Sequence, residues 1–292
     1  MQSSRPVDPS LSPTTTSFLA SLATSPVSPI MPFRPAPRNG SSDRSIQQQS
    51  PESSRRQRAP SSPSATRRRK RSAVPIMLHD APMQDHVSVG VQTWGSAILL
   101  GREMSLNPSD FGLFPGPSTP SHRGVRVLEL GAGTGLLGIL CRKLLDLRMA
   151  SPDIDGDKYS GLVVATDYHH DVLANLKVCV DLNFPPRVPT ATGGVVATKV
   201  EHEDDGVKIA KLDWTTFPAY MTGRKDGQMV HEEDNADVGQ YVREPFDLVL
   251  ASDCVYDPTH AKLLRDVAGW VLRLPDHSIP GDIGGTMVSD HS

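Results

Sequence analysis

Cysteine is scarce in this chain, and the three present, Cys141, Cys179 and Cys254, stand far apart with no CxxC pair. That argues against a disulfide framework or a zinc site and fits a reducing, intracellular compartment. Long uncharged apolar runs are missing too. The most apolar stretch, Val125 to Leu147, carries Glu129, Arg142, Lys143 and Asp146, so no membrane-spanning helix is expected. The N-terminus has no compact apolar core of a secretory signal, and its sparse, Pro-interrupted arginines do not suit an amphipathic transit helix. Apolar residues fill only 37% of the 292 positions, and the deficit is localised. Residues 1–75 are rich in Ser, Pro, Thr and Arg with almost no aromatics, too little apolar surface to offset the entropy of ordering.

Charge is unevenly spread. Residues 1–75 hold 12 Lys and Arg against 3 Asp and Glu, which leaves 18 and 30 for the remainder. A basic tail on an acidic body argues against general nucleic-acid affinity of the folded part, although the tail alone suits anionic partners. The run Arg67-Arg68-Arg69-Lys70-Arg71 reads either as a nuclear localisation patch or as a solvated charge run. Residence in the cytoplasm, the nucleus or both is therefore expected.

From about residue 86 the pattern changes to apolar strands alternating with amphipathic helices, the signature of an α/β fold with a mostly parallel sheet. The expected division is a disordered tail over 1–85 and a folded domain over 86–292. Thr93 is a candidate N-cap for a helix bringing Trp94, Ala97, Ile98 and Leu100 together. Strands are expected at Val125–Leu130, Leu162–Thr166, Val207–Leu212 and Phe246–Ala251. A polar insertion, Thr222–Glu244, looks unfit for a core. Asp257 and Pro258 open a final helix with an apolar stripe from Leu263 to Leu274.

The segment VLELGAGTGLLG, Val127 to Gly138, is the most informative. Glycines 131, 133 and 135 let the backbone pass close beneath a ligand at a helix N-terminus. Gly133, Gly135 and Gly138 also spell the dinucleotide pattern GxGxxG, which is weak alone. Glu129, two positions before the first glycine, separates the readings: a carboxylate suits a cofactor with an ammonium group and repels a pyrophosphate. Asp167 and Asp213 end later strands, where ligands bind in open α/β sheets. His169 and His170 are consecutive, their side chains should diverge, and no shared metal is expected. Cys254 reads as a small packing residue.

An acidic residue followed by GxGxG resembles motif I of class I S-adenosylmethionine-dependent methyltransferases, with Asp167 matching the acid that holds the ribose. Trp94 in VQTWGSAILL, Asp213-Trp214 in LDW, and Asp253 and Tyr256 in SDCVY extend the likeness to the family-16 protein-lysine methyltransferases. It covers roughly residues 86 to 274. The resemblance implies a Rossmann-like sandwich that binds S-adenosyl-L-methionine through Trp94, Glu129, Gly131, Gly133, Thr134, Gly135, Asp167, Asp213, Trp214 and Ser252. Trp214 would flank the adenine, while Trp94 reads equally as a cofactor contact or as helix packing. Asp253 and Tyr256 would orient the amine of a lysine on a protein substrate. Their alternative is structural, Asp253 capping the following turn and Tyr256 packing on the sheet. Family members act mostly as monomers; from this chain's own composition, neither a membrane nor a specific nucleic acid is expected as a partner.

The family has seven strands, yet only 36 residues follow Tyr256. Gly284 to Val288 suggests the stump of a fifth strand, and no sequence remains for the last hairpin. The expectation is a chain truncated relative to its parent enzyme, its last strands missing and its fourth strand a barely covered edge. Two rival readings are a methyltransferase acting on another nucleophile and a non-catalytic protein that binds cofactor or partner.

Overall fold

The computed structural model describes residues 13–21, 71–82, 88–114, 124–150, 161–185, 206–225, 235–278 and 282–290. The basic run from Arg67 to Lys70 lies outside them. In chain order the elements are β1 (Thr14–Ser21), β2 (Arg71–Leu78), α1 (Gly95–Leu106), β3 (Arg126–Leu130), α2 (Leu136–Met149), β4 (Leu162–Asp167) and α3 (His170–Asn183). They continue with β5 (Lys208–Lys211), α4 (Phe217–Lys225), α5 (Ala236–Gly239), β6 (Leu248–Ser252), α6 (Pro258–Val271) and β7 (Thr286–Asp290). A 3-10 turn, Ser88–Val91, precedes α1.

Five strands form a wholly parallel sheet of order β5-β4-β3-β6-β7, as the alternation of strand and helix predicts. The central β3 is apolar on both faces because helices cover both. Successive residues serve opposite cores: Val127, Val163, Ala165, Leu248 and Leu250 pack on one side, Leu128, Leu130, Val164, Val249 and Ala251 on the other. The sheet reverses its order between β3 and β6, a crevice position for a ligand at the carboxyl ends of the strands.

Two segments expected in a disordered tail are strands. β1 and β2 pair antiparallel, Thr14 opposite Leu78 and Ser21 opposite Arg71. Val74, Ile76 and Leu78 are buried on alternate positions, and Phe18 joins them against Leu100 and Met104 of α1. That burial offsets the ordering entropy that the surrounding composition cannot. The outer edge of β2 is covered by side chains: Asn183 accepts the Met77 N–H through Oδ1 and donates to the Met77 carbonyl through Nδ2, and Lys143 donates to the Pro75 carbonyl. Proline is tolerated there because no ladder donor is required.

The insertion judged too polar for a core also supplies core residues. Val238 is fully buried, as is Asn235, whose Oδ1 accepts the Asp213 N–H and whose Nδ2 donates to Thr216 Oγ1. A polar residue is accommodated once its bonds are made. The remainder of that insertion, 226–234, lies outside the described residues.

The edge of β6, the fourth strand of the sequence reading, is covered by a strand at the place where the sequence suggests the stump of a fifth. β7 pairs parallel with β6 from Thr286 opposite Leu248 to Asp290 opposite Ser252. Arg273 holds the approach: it donates to Asp247 Oδ1, to both oxygens of Asp282 and to the Gly284 carbonyl. Gly284 turns the chain with φ +79°, where a Cβ would fall 2.8 Å from the Arg273 carbonyl oxygen.

Candidate active site

The loop after β3 is shaped by three glycines with positive φ, Gly131, Gly133 and Gly135. A Cβ on Gly131 would lie 2.9 Å from Cys254 Cβ, and one on Gly133 would lie 3.0 Å from the Gly90 carbonyl oxygen. The backbone is thus pressed between the turn after β6 and the 3-10 turn, and residues 131–134 line a cavity of about 500 Å³ at the carboxyl ends of the strands.

Glu129 is buried, and its Oε2 accepts the Gly138 N–H at 2.9 Å in the first turn of α2. Burial pushes its carboxyl up to about 8, outweighing the hydrogen bonds from Gly138 and Leu137. The side chain therefore ties β3 to α2 as well as lining the cavity, a double role its spacing in sequence did not reveal. Asp167 is held at the end of β4 by three backbone donors: Gly133 on Oδ2, and Tyr168 and His169 on Oδ1. Burial raises its carboxyl from the ordinary value in spite of those bonds.

Asp213 folds its own turn, with Oδ1 accepting from the Thr215 N–H and hydroxyl at 2.8 and 2.6 Å. This presents Trp214 at the cavity beside His260. Opposite, Trp94 is 42% exposed at the N-cap position of α1. Thr93, the expected cap, does not cap: its N–H and hydroxyl both go to Asp80 Oδ1 at 2.7 and 2.8 Å, and its Oγ1 meets Thr134 Oγ1 at 3.1 Å. Of the stripe expected on this helix, Leu100 is buried, whereas Ile98 points to solvent.

Asp253 sits just past β6 with φ +53°, a left-handed conformation that is costly for a residue with a Cβ. Its Oδ2 accepts the Ala97 N–H at 3.2 Å. The carboxylate thus satisfies an N-terminal donor of α1, not of the turn that follows it. Ser252 Oγ and Ser96 Oγ meet alongside at 3.3 Å. Tyr256 does not pack on the sheet: it is 63% exposed at the cavity wall. Desolvation and the neighbouring Cys254 and Asp253 push its phenol up to about 12. Cys254 is buried, and its thiol is likewise pushed up to about 12, chiefly by burial, which suits packing and disfavours a thiolate.

Of the twelve residues singled out in the sequence, eleven line this one cavity: Trp94, Glu129, Gly131, Gly133, Thr134, Asp167, Asp213, Trp214, Ser252, Asp253 and Tyr256. Gly135 does not. It is the left-handed N-cap of α2, packed on Leu176. Gly90, Gln92, Tyr168 and His260 line the cavity without having been singled out. Gly90 belongs to a turn that carries no motif, Gln92 lies within VQTWGSAILL but was passed over for Trp94, and His260 is an ordinary polar residue in a helix's first turn.

The His169 and His170 rings do not diverge. They stack with centroids 4.9 Å apart, and with Asp171 they place ligand atoms within 4.8 Å of one another. A cation there would face the positive end of α3, and His170 already pairs with Asp171 at 3.0 Å. Among the described residues, no helix is long and apolar enough to cross a membrane.

Comparison with known proteins gives curated relatives and a family. The chain is 26% identical over 189 residues to the protein-lysine N-methyltransferase rrg1 of Schizosaccharomyces pombe, a match covering 65% of this chain and 44% of that protein. It is 24% identical over 195 residues to an uncharacterized protein of Dictyostelium discoideum, with the same coverage. The chain thus spans less than half the length of the curated relatives it matches. A family model described as lysine methyltransferase matches residues 78–230, beginning within β2. Over half of this chain is thereby accounted for, and it belongs to the lysine methyltransferase family.

Proposed function

We propose that this chain binds S-adenosyl-L-methionine and transfers its methyl group to the side-chain amine of a lysine in a protein substrate. The observation that carries the reading is the joining, in one cavity at the carboxyl ends of β3, β4, β5 and β6, of the glycine loop, four carboxylates and the Trp214 ring. The residues fit that cofactor. Glu129 and Asp167 supply acceptors for an ammonium group and a ribose diol, Trp214 offers an aromatic face to a purine, and Gly131 and Gly133, which have no Cβ, give close backbone approach. When bound, the cofactor supplies an electrophilic methyl on a sulfonium.

The chain's own work is to exclude water and to orient. Methyl transfer needs a neutral amine collinear with the bond being broken, so positioning accounts for much of the catalysis. Asp253 is anchored through Ala97 and Tyr256 stands at the cavity wall, which places two oxygen groups to receive the amine's hydrogen bonds. A partly desolvated channel favours loss of the lysine proton. Tyr256, its phenol pushed up to about 12, acts at neutral pH as a hydroxyl and not as a base.

Calorimetric titration with S-adenosylhomocysteine tests the cofactor: micromolar binding by the chain, lost in Asp167→Ala, is expected. Methyl transfer to an array of lysine-bearing peptides, set against arrays in which arginine or histidine replaces lysine, tests the nucleophile. We propose further that the protein acts as a monomer in cytoplasm or nucleus.

A further inference from the structure

His260 is the third residue of α6, and its ring lies edge-on to both Trp214 and Tyr256, with centroids 6.3 and 5.9 Å away and interplanar angles of 83° and 81°. It joins the aromatic wall on which a purine would stack to the residue placed at the methyl-transfer end. Its Nδ1 accepts the Tyr256 backbone N–H at 3.2 Å. A ring nitrogen that accepts carries no proton, so the neutral imidazole has its proton on Nε2. Nε2 is 3.9 Å from Asp257 Oδ2, a carboxylate that the Thr259 and His260 N–H groups hold below its ordinary range.

This proton bookkeeping removes His260 as the base for the incoming amine, because its lone pair is already engaged by Tyr256. We propose instead that His260 is a positioning residue for Tyr256. The neutral ring fixes the Tyr256 backbone at the cavity wall, and protonation releases it. On protonation both ring nitrogens become donors, Nδ1–H confronts the Tyr256 N–H, and the bond must break. The groups facing this corner are Asp253, Cys254 and Tyr256 from the turn after β6, Asp213 from the turn after β5, and Asp257 from the helix itself. Its importance for methyl transfer rests on the function proposed above; the link between His260 and Tyr256 does not.

The isosteres of histidine supply the test. In His260→Asn the amide oxygen can stand where Nδ1 stands, and in His260→Gln it reaches only the place of Nε2. In ¹⁵N-labelled full-length chain, the Tyr256 amide should keep its hydrogen-exchange protection in His260→Asn and lose at least tenfold of it in His260→Gln. In the wild type, the Tyr256 amide signal should titrate with the same midpoint as the His260 ring signals, and in His260→Asn that titration should vanish. Equal protection in the two variants, or a Tyr256 amide blind to the wild-type ring titration, overturns the proposal. The wild-type arm needs no variant to fold. S-adenosylhomocysteine affinity measured on the same samples keeps the two ideas apart: no binding by the wild type sinks the cofactor reading, while the Tyr256 amide decides the positioning role with or without the ligand.

Discussion

The Asp253 carboxylate, at the end of β6, accepts the backbone N–H of Ala97 in the first turn of α1 at 3.2 Å, 156 positions away in sequence. It does so from a left-handed backbone at φ +53°. The bond fastens the helix that carries Trp94 to the strand end that carries Tyr256, so the two walls of the cavity are set by one carboxylate.

Asp253→Ala should therefore lower stability by about 1–2 kcal/mol, through a lost helix-terminal acceptor and a conformation alanine tolerates poorly. Asp253→Asn retains both an acceptor and tolerance of that conformation, and should cost less than about 0.5 kcal/mol. Urea unfolding of the two variants measures the difference. Equal losses would show that the bond to Ala97 contributes nothing.

Under the proposed function, cofactor binding should depend on pH through Glu129. Its carboxyl, raised to about 8 by burial, is protonated at neutral pH in the free chain. A ligand ammonium nearby favours the anion, so binding expels a proton. Affinity for S-adenosylhomocysteine should rise with pH until about 8 and then level off, and titrations at pH 7 in buffers of different ionisation heat should report the released proton. Glu129→Gln should abolish the slope. The same raised value means that the folded state holds a proton which the unfolded chain gives up near 4.5. Glu129's contribution to stability accordingly falls as pH rises from about 4.5 to about 8.

Asp80, Thr93 and Thr134 form a chain of hydrogen bonds from the end of β2 to the glycine loop. Thr93→Val removes the hydroxyl and keeps the shape. S-adenosylhomocysteine should bind about tenfold more weakly, corresponding to about 1.4 kcal/mol and within the range for one buried hydrogen bond. Thr93→Ser should restore most of it; a serine variant as weak as the valine would point to packing instead.

Arg273 and Asp282 pin the approach to β7. The guanidinium holds the Asp282 carboxyl well below the usual carboxylate range, so its contribution persists far into acid and is lost only as pH falls through that lowered value. Asp282→Ala should strip hydrogen-exchange protection from Thr286–Asp290 while leaving α6 protected. Unchanged protection of β7 would mean that strand pairing alone holds it.

How much of this was legible beforehand differs from residue to residue. The alternation of apolar strands and amphipathic helices determined the parallel sheet, since only continuous apolar runs suit strands covered on both faces. The glycine loop, Asp167, Asp213, Trp214, Asp253 and Tyr256 could be read because each stands at a strand end, and in a parallel sheet strand ends converge. β1 and β2 were obscured because a composition average hides a few well-placed apolar residues: Phe18, Val74, Ile76 and Leu78 are sparse in a polar stretch, yet all four are buried.

Tertiary structure alone decided the rest. Sequence spacing cannot show that Asp253 reaches Ala97, that Glu129 ties β3 to α2, or that the His260 ring accepts the Tyr256 N–H, because each depends on where separate elements meet. For β7 a strand stump was legible at Gly284–Val288, and only its seat in the sheet was not. Five residues of modest strand character become an edge of the sheet because Arg273, on the far side of a turn, finds Asp247 and Asp282 within reach. Local propensity and periodicity are properties of neighbours in the chain, and they determined the elements. Which side chains share a hydrogen bond is a property of packing, and only the folded chain could decide it.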